Sequence, residues 1–236
     1  MPVRFYSDLG KLKQKLLHMA AIAEQMIQSI NSVLIDRAEE LLGKMYENEK
    51  SLDRIQREID EETIRLIGVY TPVAGDLRLL LMVARINAEI ERIGDKVVDI
   101  GHFVENFLQV KRTQDIIDFT HVAGVTEQML HNALNAFINR SVHEAIAVIN
   151  ADEEVDRITD QTFRVLFTHM LSCPSDIGFI LGLMLAAQAL ERIADHAVNI
   201  AEDVIYMVEG EDVRHMKVED IDDLGKESEK PDVKRS

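Results

Sequence analysis

A chain of 236 residues is long enough for one large domain or two small ones, and a hydrophobic fraction of 47% supplies a sizeable core. The formal net charge of −16 disfavours direct binding of nucleic acid or of an anionic membrane, both of which would repel the chain, and leaves it attractive to cations or to a basic partner face. Aromatic residues at 5%, no Trp and few Gly or Pro favour helix over strand.

The pattern predicts six helices. The first runs from about Ser7 to Leu42 and the second from about Glu47 to Gly68. The third, from about Gly75 to Leu108, carries the clearest stripe: Leu79, Val83, Ile86, Ile90, Ile93, Val97, Ile100 and Val104 recur at alternating spacings of four and three. The fourth runs from about Asp115 to Ile149, the fifth from about Asp152 to Leu171 and the sixth from about Ser175 to Val208. Thr71-Pro72 and Cys173-Pro174 mark two of the breaks, because the residue before a proline is biased away from helix. Ser7 and Ser175 are candidate N-caps. Helices this long, joined by short turns, bury their stripes against each other as a bundle.

Three blocks recur in the same order. Glu24-Gln25-Met26 returns as Glu127-Gln128-Met129, and Asp53-Arg54-Ile55 as Asp156-Arg157-Ile158, both 103 residues later. Glu91-Arg92-Ile93-Gly94-Asp95 returns as Glu191-Arg192-Ile193-Ala194-Asp195, 100 residues later. The expected fold is therefore all-α: two tandem three-helix bundles, over residues 7–110 and 113–209, related by an internal repeat. The boundary falls near residues 109–114. Residues 210–236 form a polar, mostly acidic tail, expected to be mobile.

No apolar core of a signal peptide appears in the first residues. The longest apolar run, Ile177 to Ala187, falls short of the roughly 20 residues of a membrane span. The single cysteine, Cys173, forms no internal disulfide and reads as incidental. A cytoplasmic chain without membrane insertion is the expectation.

The chemistry concentrates in carboxylates. Glu91, Asp95 and Asp99 lie one helical turn apart, roughly opposite the apolar stripe, and His102 continues their face. The sixth helix repeats the face with Glu191, Asp195, Asn199 and Glu202. Glu49 and Asp53 on the second helix, and Asp152 and Asp156 on the fifth, form further i, i+4 pairs that flank apolar stripes. If the second and third helices lie side by side, these pairs converge, and four carboxylates in one place repel one another unless a cation lies among them. Such oxygens suit Mg, Mn, Ca or ferric iron. The residues leave two readings open, a metal site and a plain solvated acidic face. Repetition on two helices of each half, with few interleaved Lys or Arg, sets these faces apart from an ordinary surface. Arg54, Arg92, Arg157 and Arg192 read as ion-pair partners, the alternative being phosphate or partner contacts. His196 reads as structural. There is no phosphate-binding glycine loop, no nucleophile elbow and no E-x-x-H pair.

The segments ERIGDKVVDIG (91–101) and ERIADHAVNIAEDV (191–204), within two three-helix units, resemble the signature of the PhoU proteins over about residues 7–209. That resemblance implies a cytoplasmic, non-enzymatic negative regulator of phosphate uptake and of the phosphate-starvation response. It implies an adaptor between the ATPase subunit of a phosphate ABC transporter and a sensor histidine kinase, and self-association as a homodimer. It also implies multinuclear metal clusters, iron first, with Mn, Mg, Zn or Ca as alternatives. By likeness the ligands are Glu49, Asp53, Glu91, Asp95 and Asp99 in the first half, and Asp152, Asp156, Glu191 and Asp195 in the second. Asn199 in place of Asp99, and Asp152 in place of Glu49, depart from strict doubling and predict two inequivalent sites. Competing readings are a metal-dependent hydrolase or phosphatase on helices, and a metal-free helical interaction protein.

Overall fold

The apolar stripes close onto one another in the computed structural model, which describes residues 3–108, 117–214, 216, 220 and 221. Among these residues the chain forms six α-helices, one 3-10 turn and no strand. They are α1 (Val3–Asp36), α2 (Leu41–Tyr70), α3 (Ala74–Leu108), α4 (Thr120–Asn139), α5 (Val142–Ser172) and α6 (Ile177–Glu209), with the 3-10 turn Pro174–Asp176 between α5 and α6. The stripe of α3 is buried as its spacing requires, with Ile86, Ile90, Ile93, Val97 and Ile100 fully inaccessible. Helices α1, α2 and α3 pack as one three-helix bundle, and α4, α5 and α6 as a second.

Two expected breaks lie elsewhere. The first helix ends at Asp36 rather than near Leu42, and the fourth at Asn139 rather than near Ile149. Neither break carries Gly or Pro. The chain turns instead through left-handed Arg37 (φ 57°) and Arg140 (φ 51°). Arg140 caps α4 by donating its N–H to the Ala136 carbonyl. The Ser141 hydroxyl then accepts from the Glu144 N–H at 3.2 Å and starts α5. Ser141-x-x-Glu144 is a helix-start signal that the sequence does contain. Ser7 lies inside α1, and α6 starts after Asp176, so neither Ser7 nor Ser175 is an N-cap. The expected half-boundary at residues 109–114 and most of the tail lie outside the described residues.

The halves meet through α3 against α6, the most extensive helix pair, and through α1 against α4. The second contact is reciprocal. His131 Nδ1 lies 2.9 Å from Glu24 Oε1, and Gln28 Nε2 donates to Glu127 Oε1 at 3.1 Å. Under the 103-residue offset, Glu127 stands for Glu24 and His131 for Gln28, so each half presents the same pair to the other, as in a two-fold dimer. The α3–α6 contact is lopsided. Glu89 of α3, 8% exposed, lies with Oε2 at 2.8 Å from His196 Nδ1 and accepts from Asn199 Nδ2 at 2.9 Å, while Arg92 pairs with its other oxygen. Arg85 reaches buried Asp203 at 3.1 Å. The repeat counterparts of Glu89 and Arg85 are Ala189 and Leu185, so the polar cluster of this interface has no repeat-related copy.

Among the described helices, α6 with its preceding turn (Pro174–Glu209) is long and apolar enough to cross a membrane by length and composition. It is packed against α3, α4 and α5, and its carboxylates line the face described next.

Candidate functional site

Helix α2 buries Leu42, Met45, Leu52, Ile55, Ile59 and Leu66 against its neighbours, which leaves Glu49 and Asp53 on the flank facing α3. Two glycines of α3 let α2 approach closely. A Cβ on Gly94 would stand 3.2 Å from Leu52 Cδ1, and one on Gly101 would stand 2.6 Å from Met45 Cε. Gly94 lies between Glu91 and Asp95, so one of these two close approaches falls beside the carboxylates.

The E-x-x-x-D pairs of α2 and α3 thus come together. Burial, then the charges of Asp53 and Asp95, push the Glu49 carboxyl above its ordinary value. Glu91 is raised by burial, then by Asp95, Asp53 and Asp60, and Asp95 by burial, Asp53 and Asp99. Lys50, Arg92 and Lys96 oppose these shifts without cancelling them. Asp99 stands at the edge of the group, accepting from Lys96 Nζ at 2.6 Å. Glu91 and Asp99 are half-buried rather than opposite the core, because the neighbouring α2 covers their side of α3.

The second half repeats the arrangement with α5 and α6. Burial, then Asp156, Asp195 and Glu191, drive Asp152 up to about 6, and its Oδ1 is buried with no hydrogen-bond partner. Glu191 and Asp195 are raised by burial and by Asp156. Asn199 is drawn off to Glu89 and leaves the face. Glu202 lies on the expected face but outside the expected ligand set. Burial, then Asp203, with Asp212 and Asp152 behind it, lifts it to about 7. Asp60 and Asp160 also press on Glu91 and Glu191, and were legible as further carboxylates along α2 and α5. His196 serves the α3–α6 contact, in keeping with a structural reading.

Each face therefore holds carboxylates under mutual repulsion, with too little Lys or Arg to balance them. An under-compensated oxygen donor set with an orphaned buried Asp152 oxygen fits a hard or borderline cation. Among the described residues, the only trio of His, Cys, Asp or Glu whose ligand atoms all lie within 4.8 Å of one another is elsewhere: His169, Cys173 and Asp176. Among the described residues, no three carboxylates of either face bring ligand oxygens within 4.8 Å of one another.

The PhoU domain family model matches residues 16–104 and 119–204, one copy in each bundle. The chain belongs to the PhoU family. It is 32% identical over 214 residues, 90% of this chain and 88% of the other, to a phosphate-specific transport system accessory protein PhoU homolog of Pseudomonas aeruginosa. It is 29% identical over 229 residues, 96% of this chain and 95% of the other, to the accessory protein PhoU of Escherichia coli K12. The crystal structure of PhoU from Pseudomonas aeruginosa superposes with a TM-score of 0.84 at 31% identity, covering 88% of this chain and all of that one. PhoU similarity thus spans both carboxylate faces.

Proposed function

We propose that this chain is a regulatory accessory protein of a phosphate-specific transport system. In this reading it works in the cytoplasm as a metal-binding, non-catalytic adaptor between the transporter's ATPase subunit and a sensor histidine kinase. It holds uptake and signalling down when phosphate is plentiful, and it self-associates as a homodimer. The transport assignment rests on likeness to relatives named as accessory proteins of phosphate-specific transport, matched over nine-tenths of the chain. The metal assignment rests on one observation: the same uncompensated carboxylate face stands in both halves.

The ligands would be Glu49, Asp53, Glu91 and Asp95, with Asp99 at the margin, and Asp152, Asp156, Glu191 and Asp195 in the second half. Cations, iron first by family likeness, would supply positive charge that relieves repulsion and changes the sign of the docking face. The spread of the carboxylates over each face suits more than one ion. The packed helices hold the carboxylates in place, so the face is presented on a rigid scaffold rather than on loops.

The test is elemental analysis of the purified protein beside an Asp95→Ala, Asp195→Ala double variant, with helicity followed by circular dichroism. Bound metal should fall after extensive dialysis while helicity stays unchanged. Equal metal content in the two proteins sinks the ligand assignment. Retention of the transporter ATPase subunit by metal-loaded but not chelated protein supports the adaptor. Turnover of phosphate esters with added Mn or Mg replaces it with a hydrolase.

A further inference from the structure

A different metal chemistry is assembled at the far end of the second bundle. His169 lies in the last turn of α5, Cys173 caps that helix, and Asp176 closes the 3-10 turn that leads into α6. The spacing is H-x-x-x-C-x-x-D. Residues four apart share a helix side, which sets His169 and Cys173 together. The Cys173 N–H donates to the His169 carbonyl at 2.9 Å, and the Asp176 N–H to the Cys173 carbonyl at 3.0 Å, so both steps are held by backbone bonds. Pro174 stiffens the turn between them.

As a result His169 Nε2 lies 3.7 Å from Asp176 Oδ2, and the three ligand atoms fall within 4.8 Å of one another. Donor atoms of a tetrahedral zinc centre stand about 3.3–3.8 Å apart, given metal–ligand bonds of about 2.0–2.3 Å. The trio is therefore one small side-chain adjustment from a coordination shell. All three side chains are half-buried, supported from below yet open to an incoming ion.

We propose that His169, Cys173 and Asp176 form a three-ligand zinc site, with water in the fourth position, that clips the α5–α6 turn. The thiol separates it from the carboxylate faces, because sulfur selects zinc over magnesium or calcium. On binding, the S–H proton leaves to solvent as the sulfur–zinc bond forms, and no electron moves. The repeat does not supply a second copy. Over offsets of 100 to 103 residues, His169 corresponds to one of Leu66, Ile67, Gly68 or Val69, and Cys173 to one of Tyr70, Thr71, Pro72 or Val73. Only Asp176 has a like residue, Asp76, which accepts from the Tyr6 hydroxyl at 3.4 Å. The clip belongs to the second bundle alone and stands independently of the function proposed above.

Cobalt(II) titration of the reduced, metal-stripped full chain tests this, because only a thiolate ligand gives a sulfur-to-cobalt charge-transfer band in the near ultraviolet. The expected result is one band that saturates at one cobalt per chain and is bleached by zinc. It should vanish in Cys173→Ser, survive in the Asp95→Ala, Asp195→Ala variant, and need about tenfold or more cobalt in His169→Ala and in Asp176→Asn. Zinc should also protect Cys173 from alkylation in the native chain. The absence of a band under excess cobalt overturns the site. So does a band indifferent to His169→Ala and Asp176→Asn, which means cobalt on the thiol alone. Circular dichroism of each variant confirms that the helices are retained.

Discussion

Asp152 shows how a single side chain records what its surroundings need. The sequence places it in a D-x-x-x-D pair, a spacing that any acidic helix can carry. Burial makes it different, because its Oδ1 has no partner and its carboxyl is held at about 6 by desolvation and by Asp156, Asp195 and Glu191. A carboxyl whose folded value lies above its unfolded value keeps its proton more tightly in the native state. Its ionisation therefore costs stability progressively as pH rises from about 4 to beyond 6, and the full cost is present at pH 8. Asp152→Asn should accordingly raise the Tm of metal-free protein by several degrees at pH 8 and by less at pH 5, read by calorimetry after chelation. An equal gain at both pH values means that the charge of Asp152 is not the cause. Glu202 was half legible: it lies two turns beyond Asp195, but its coupling to Asp152 depends on how α5 and α6 lie together.

Helix α3 is the element on which both halves depend. One flank faces the carboxylates of α2, and another buries Glu89 against α6. Burial opposes ionisation of Glu89, but the bonds from His196 and Asn199 and the charges of His196 and Arg92 outweigh it and hold its carboxyl below the ordinary value. Glu89→Ala removes the acceptor shared by His196, Asn199 and Arg92, and should cost about 1–3 kcal/mol in urea unfolding at pH 7, with the slope unchanged. Because the folded value is lowered, that contribution is present above the ordinary glutamate value and is lost as pH falls through the folded one. The deficit should shrink toward pH 3. A deficit that is constant with pH points to lost packing instead. Helix existence and the α3 stripe were legible because a run of thirty-odd residues at period 3.6 has one way to bury itself. The turn at Arg37 was not, since a left-handed arginine carries no breaker signal, and at Arg140 the sequence signal is the Ser141-x-x-Glu144 start that follows the turn rather than the arginine itself.

At the scale of the whole molecule, the chain is two related three-helix units that meet through matching helices, α1 against α4 and α3 against α6. The α3–α6 contact is more extensive than any single helix pair inside either bundle, so separating the halves disrupts a large share of the packing on which both depend. Unfolding should therefore be a single cooperative transition, with the calorimetric enthalpy equal to the van't Hoff enthalpy and far-ultraviolet dichroism coincident with it. Two resolved transitions in metal-free protein contradict that coupling. The fold class, the doubled unit and the repeated carboxylate spacing follow from the sequence by itself, because helical period and internal repetition are local properties of the chain. The tertiary structure decided which carboxylates meet, that Asn199 serves Glu89 instead of the acidic face, and that Cys173 comes beside His169 and Asp176. Those outcomes depend on the approach of neighbouring helices and on the shape of one short turn. Two sequences with identical spacing can differ in both.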